Sequence, residues 1–317
     1  MGTGMSSTGA VGTTRLAAVA GNFGRDLEAT YAQVGRVLER ARADGTGLVA
    51  FPEACLGGYL SSLGSAEDRG TAASRRGRSG PPALTLDGPE LRRVQEMAGD
   101  VVVVVGMCED GGHDLYNTAV ALTGDGILGV HRKVHQPLGE NLTYAAGSAF
   151  DAFDTPVGRI GLQICYDKAF PEAARAAALD GAAVIVSISA WPGSRTAAAA
   201  DLARDRWRLR FDLYDQARAL ENQVVWVAAN QAGEFGSLRF VGNAKIVGPG
   251  GEVLASTGTD AGIAVADVDI EHELALARRA MFNLRDRRPD AYGAVVAPNA
   301  HAVPAVPAVQ EEVPSLA

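Results

Sequence analysis

Cys165, Glu53, Lys133 and Glu140 are side chains of this 317-residue sequence whose types and places beyond predicted strands could do chemistry, although none is specific alone. A thiolate attacks an electrophilic carbonyl or nitrile carbon, but a free thiol titrates near pH 8.5, roughly, and needs help at neutral pH. A carboxylate such as Glu53 could take that proton and later return it to a leaving amine. An ammonium beside the sulfur would favour the thiolate and could hold a tetrahedral oxyanion. Each residue alone has an ordinary alternative. Cys165 could be a small buried hydrophobe, Glu53 an exposed turn carboxylate, and Lys133 and Glu140 surface charges.

The local pattern positions these groups. In GRIGLQICYDKAFPEAAR (158–175), Ile160, Leu162 and Ile164 alternate as in a strand, and Cys165 stands at its end. The turn that follows could direct backbone N–H groups, that of Tyr166 among them, at an oxyanion. Glu53 follows the apolar strand 48–51 through Pro52, and Lys133 follows a strand over 126–131. Further strands are expected at 15–20, 101–107, 116–122, 150–154, 158–164, 183–188, 224–229, 244–247 and 263–268. Helices are expected at 25–43, where Leu27, Tyr31, Val34 and Leu38 recur at helical spacing, and at 89–97, 172–179, 195–221 and 271–284. Strand–helix alternation makes the chain α/β, and the hairpins require mixed sheets.

Residues 1–14 read as a flexible leader, 15–292 as a single domain with a polar surface insertion at 61–82, and 293–317 as an extended or disordered arm rich in Ala, Pro and Val. A net charge of -8 without a Lys/Arg stripe gives no support to nucleic-acid binding. Three cysteines without a CxxC pair do not make a disulfide scaffold, and Cys55 and Cys108 read as structural thiols. No segment approaches the roughly 20 apolar residues of a membrane span. The leader has neither a basic start nor an apolar run, so a reducing cytoplasm is the expected location. His131 and His135 are four apart, but no HExxH or third ligand accompanies them, so no metal is expected. The sequence has no GxSxG elbow, no GxGxxG after a strand and no phosphate loop, so no cofactor is expected either.

Three blocks carry a resemblance to the nitrilase superfamily, nearest its amidase and carbamoyl-amide hydrolase branches. They are FPEACLGGY (51–59), HRKVHQPLGENLTYAAG (131–147) and GLQICYDKAFPEAAR (161–175), with ENQVVWVAAN (221–230) and GNAKIVGPGGEV (242–253) as a secondary match. The resemblance implies a four-layer αββα sandwich of two mixed β-sheets flanked by helices, paired into a homodimer or higher homo-oligomer. It implies Cys165 as nucleophile, Glu53 as general base, Lys133 as oxyanion stabiliser, and Glu140 as a carboxylate that orients Lys133 or the substrate. Tyr166, Trp191 and Tyr59 would border the oxyanion site or the pocket, and Asp167 and Glu221 would be supporting or structural carboxylates.

Nitrile-hydrolysing members commonly carry Trp–Glu after the cysteine, where this chain has Tyr166–Asp167. Branches acting on ω-amides often place an arginine where this chain has Ala169, which leaves Lys168 or another arginine to substitute. The expected substrate is a small neutral aliphatic or aromatic primary amide, converted with water to a carboxylic acid and ammonia. An N-carbamoyl amine is the first alternative, followed by a nitrile or a non-catalytic scaffold of the same fold.

Overall fold

The computed structural model describes residues 12–61, 80–137 and 139–296. Most of the expected insertion at 61–82, of the leader and of the C-terminal arm therefore lies outside the described residues. Among the described residues fourteen strands are present: β1 (Thr14–Gly21), β2 (Thr46–Ala50), β3 (Ala83–Leu84), β4 (Val102–Asp110), β5 (Leu115–Thr123), β6 (Gly126–Arg132), β7 (Ala152–Thr155), β8 (Gly158–Ile164), β9 (Val184–Ser189), β10 (Val225–Phe235), β11 (Leu238–Val241), β12 (Lys245–Val247), β13 (Val253–Ser256) and β14 (Gly262–Val268). The helices are α1 (Leu27–Ala43), α2 (Pro89–Ala98), α3 (Pro171–Leu179), α4 (Arg206–Asn222) and α5 (Ile270–Ala280). These elements belong to a unit that ends at Leu284. A second unit begins at Arg285 and contains a 3-10 turn (Pro289–Ala291) and a four-residue helix, α6 (Gly293–Val296).

Two mixed sheets face each other. One runs β6-β5-β4-β2-β1-β14 and the other β7-β8-β9-β10-β12-β13. They join where β1 and β10 pair in parallel, Ala20 with Asn230 and Gly21 with Gln231. The period-2 alternation of strands sorts the side chains of the first sheet. Leu16, Ala18, Leu48, Ala50, Val102 and Val104 share a core with Ile160, Leu162, Ile164 and Val186 of the second. Ala17, Val19, Val49, Val103 and Val105 pack beneath Tyr31, Val34 and Leu38 of α1 and Leu91 and Val94 of α2. On the far side, Ala174 and Ala177 of α3 and Phe211 and Ala219 of α4 cover the second sheet. The order is helix, sheet, sheet, helix: the αββα sandwich. Because both faces are covered, β4 is a continuous apolar run with no alternation.

Two helix boundaries differ from the expected ones. The segment 195–221 is helical only from Arg206, preceded by a 3-10 turn at Leu202–Arg204. The Asp205 side chain accepts from Trp207 N as an N-cap, and also from Ser194 N and Ala199 N, so it holds the preceding stretch as a loop. The last helix stops at Ala280, where the Gln223 side-chain amide donates to the carbonyls of Ala277 and Met281. The short strands β3, β11 and β13 were absent from the sequence-based expectation.

A buried ionic cluster locks α4 to the second sheet. Asp215 accepts from Lys168 Nζ (2.6 Å), Lys245 Nζ (2.8 Å) and Trp226 Nε1 (2.9 Å), and both ammoniums lie over the Phe211 ring. Lys168 is thus engaged and not available as a substrate clamp. Arg218 of α4 donates to the carbonyls of Lys168 and Ala169. Removing Asp215 leaves the buried Lys168 ammonium without a counter-charge and Lys245 with Asp212 alone (3.2 Å), which costs more than the pair itself contributes. Asp215→Ala is expected to lower unfolding free energy by about 3–5 kcal/mol, read as the denaturant midpoint; a shift under about 1 kcal/mol would contradict this account of the cluster.

Candidate active site

Glu53 leaves the end of β2 at a point where the chain bridges both sheets. Phe51 N donates to Val104 O, Glu53 N to Ser189 O, and the Gln231 side-chain amide to Glu53 O. Gly106 on β4 allows this approach, because a β-carbon there would lie 2.4 Å from Ala54 N and 2.9 Å from Glu53 Cα. Lys133 directly follows β6, with its N–H on Asn117 O. Its Nζ donates to Glu53 Oε1 (2.8 Å) and to Glu140 Oε1 (2.7 Å). Asn117 Nδ2 adds a bond to Glu53 Oε1 and Ala190 N one to Glu53 Oε2, both 2.6 Å. The Tyr59 hydroxyl donates to Glu140.

All three charged groups are buried, at 0–1% exposure. Burial alone lowers a lysine, but Glu140 and Glu53 outweigh it and hold Lys133 above the ordinary lysine value. Two carboxylates around one ammonium leave a buried net negative charge. Burial accordingly pushes Glu140 up to about 7, with Lys133 pulling against it and Glu53 adding to it.

Cys165 opens the 3-10 turn Cys165–Ala169 that follows β8. Its φ of 50° is left-handed, a strained conformation for a residue with a side chain. Asp167 pins this turn: it accepts from Ile164 N (3.1 Å), His131 Nε2 (3.0 Å), His135 N and His135 Nδ1 (both 2.9 Å). One buried carboxylate thereby ties the cysteine turn to the lysine segment, and the two histidines serve it as donors. His135 also stacks on Phe170. Burial raises the Cys165 thiol well above its ordinary value, and Glu53 adds to this while Lys133 and Lys168 oppose it. The sulfur therefore lies within electrostatic reach of a carboxylate.

Cys165 lines a cavity of about 320 Å³ whose walls carry Tyr59, Tyr166, Trp191, Trp207 and Tyr214. Trp191 is fixed by its indole N–H on Trp207 O (3.0 Å), and its backbone N–H donates to Asn230. The sequence-predicted residues Cys165, Tyr59, Tyr166 and Trp191 thus meet at this cavity. Glu53, Lys133 and Glu140 stand behind it, and Asp167 lies beneath the turn. Glu221 lines no part of the cavity and pairs with Arg218 at 2.9 Å.

The Carbon-nitrogen hydrolase family model matches residues 15–278. This chain belongs to that family. Within the nitrilase superfamily it is similar to a probable nitrilase of Schizosaccharomyces pombe, 32% identical over 80% of this chain and 86% of the relative. It is also similar to the N-carbamoylputrescine amidase of Solanum tuberosum, 31% identical over 84% of this chain and 89% of the other. A crystal structure of a carbon-nitrogen hydrolase from Helicobacter pylori G27 superposes with a TM-score of 0.76 at 25% identity, covering 90% of this chain and 99% of that one. The chain is accordingly a cysteine-dependent hydrolase of carbon–nitrogen bonds. No helix among the described residues is long and apolar enough to cross a membrane.

Reading the sequence as a carbon-nitrogen hydrolase missed Trp207, Arg210 and Tyr214, the contribution of α4 to the cavity. Their i, i+3, i+7 spacing marks one helical face, a signal present in the sequence but without an indication of what that face meets.

The two buried aspartates predict the acid limb of stability. For Asp167, burial is outweighed by hydrogen bonds from His131 and His135; for Asp215, by Lys168 and Lys245. Both are held below the ordinary carboxylate value. Depressed acids contribute stability above their unfolded pKa, about 4, that is lost as pH falls through the folded values. The denaturant midpoint should therefore fall steeply below about pH 4; a midpoint that rises on acidification through this range would contradict it.

Proposed function

We propose that the chain hydrolyses a small primary amide to a carboxylic acid and ammonia through a thioester on Cys165. In this reading Glu53 takes the thiol proton as Sγ attacks the amide carbon. The oxyanion is held by the Tyr166 backbone N–H and by Lys133, whose ammonium has three donors and gives two to Glu53 and Glu140. Glu53 returns the proton to the amide nitrogen, the C–N bond breaks, and ammonia leaves. Glu53 then deprotonates a water that attacks the thioester, and the second tetrahedral intermediate collapses to the acid and the thiol. Glu140 and Tyr59 fix the position of Lys133; Asp167 fixes that of Cys165.

The observation that carries this reading is the buried Glu53–Lys133–Glu140 cluster behind a cavity lined by the Cys165 thiol. An N-carbamoyl diamine is less well served, because its distal ammonium calls for a carboxylate and none of the cavity-lining residues described is acidic. Ammonia release from a panel of amides, ureido compounds and nitriles tests the choice. Turnover of amides above the other two classes is expected. Preference for ureido compounds or nitriles would replace the reading, and release from none by folded protein would favour a non-catalytic scaffold.

A homodimer is part of the same proposal. Leu209, Leu213 and Leu220 stand exposed on α4, Leu213 at 66%, with Leu276 on α5, and apolar faces of this kind mark association surfaces. Leu213→Glu should halve the mass in solution; a dimer that persists unchanged would place the contact elsewhere.

A further inference from the structure

The cavity at Cys165 pairs flat apolar walls with one cation. Trp191 sits among Trp207, Phe211 and Tyr214 with ring centroids 5.8–6.0 Å apart, so these rings brace one another. Tyr59 stands in turn against Phe240. Rings held in this way form a preformed slot that favours a planar, polarisable group over a flexible aliphatic chain. On α4, Trp207, Arg210 and Tyr214 follow one another at i, i+3 and i+7 and all three line the cavity. Arg210 is exposed and lies 6.0 Å from the Trp207 ring centre. Among the described residues no carboxylate pairs with it, whereas neighbouring Arg208 is matched to Asp212 at 3.1 Å. The cation on the cavity face of α4 is thus left to bind something else, and none of the described residues lining the cavity is acidic to balance it.

We infer that the preferred substrate is an aromatic amide that carries an anionic group, its ring lying between the aromatic walls and its carboxylate meeting Arg210. This rests on the amidase reading above and narrows it. A guanidinium presents paired N–H donors that match a carboxylate in two-point geometry, which would orient the amide end toward Cys165. Because Arg210 is exposed, its contribution is moderate and screened by salt.

Three amides of one frame test this: 3-phenylpropionamide, its para-carboxy derivative and its para-aminomethyl derivative, with ammonia release read as kcat/KM. The carboxylated amide is expected to exceed the neutral one by about fivefold at low salt. That margin should shrink in high salt, collapse in Arg210→Gln, be partly kept in Arg210→Lys, and reverse toward the aminomethyl amide in Arg210→Glu. Equal or better turnover of the neutral or cationic amide by the native enzyme would overturn this inference and leave the amidase reading standing. So would a carboxylate preference that survives in Arg210→Gln. Ammonia from none of the three, nor from the wider amide panel, would remove the amidase reading and this inference together.

Discussion

Cys165→Ala is expected to abolish ammonia release, by about 10⁴-fold or more, in a protein that remains folded. The rate loss follows from the proposed chemistry, since Cys165 is the one thiol among the described residues that line the cavity. The retained fold follows from the structure. Cys165 is buried at the end of β8, and alanine removes one sulfur atom while facing the same left-handed backbone demand at φ 50°. Asp167, His131 and His135 continue to pin the turn. Cys55→Ala is the matched control: Cys55 is buried in the core on the helical side of the first sheet, and burial pushes its thiol up to about 12. Ammonia release and the denaturant midpoint, measured on both variants, check the pair. Substantial turnover by purified Cys165→Ala would overturn the mechanism.

Lys133→Ala should lower both rate and stability. From sequence alone a lysine after a strand suggests a mainly chemical loss. The structure adds a physical cost, because the ammonium is buried between two carboxylates and its removal leaves both unpaired. The expected losses are about 10²–10³ in kcat and about 3–5 kcal/mol in unfolding free energy. The two effects can be separated. Adding Glu140→Gln to Lys133→Met removes one of the stranded charges, so the double variant should regain much of the stability and none of the rate. A Lys133→Ala protein as stable as the native one would contradict the buried cluster. Recovery of rate together with stability in the double variant would show that Lys133 acts through folding alone.

The legible part of this molecule is the part written locally. Period-2 alternation of Ile160, Leu162 and Ile164 located β8, the β-branched run 101–107 located β4, and the spacing of Leu27, Tyr31, Val34 and Leu38 located α1. The three blocks around Glu53, Lys133 and Cys165 pointed to the residues that the fold brings together. Less was legible where one side chain reorganises its surroundings. Asp205 captures three backbone N–H groups and stops a helix that composition alone would have continued to Arg195. The partners of Asp215 lie on the cysteine turn, β10 and β12, and sequence spacing carries no information about such meetings. The same holds for Trp207, Arg210 and Tyr214. Their helical face could be read from the sequence, but that it borders Cys165 depends on how α4 crosses the second sheet.

The most direct test of the central claim is the mass of the protein after acid quenching during turnover of a saturating amide, followed by mapping of the modified peptide. The account predicts a fraction of the chain heavier by the substrate minus ammonia, with the added acyl group on Cys165. An acyl group on any other residue, or no adduct under conditions where the acyl-enzyme is the accumulating species, would contradict it.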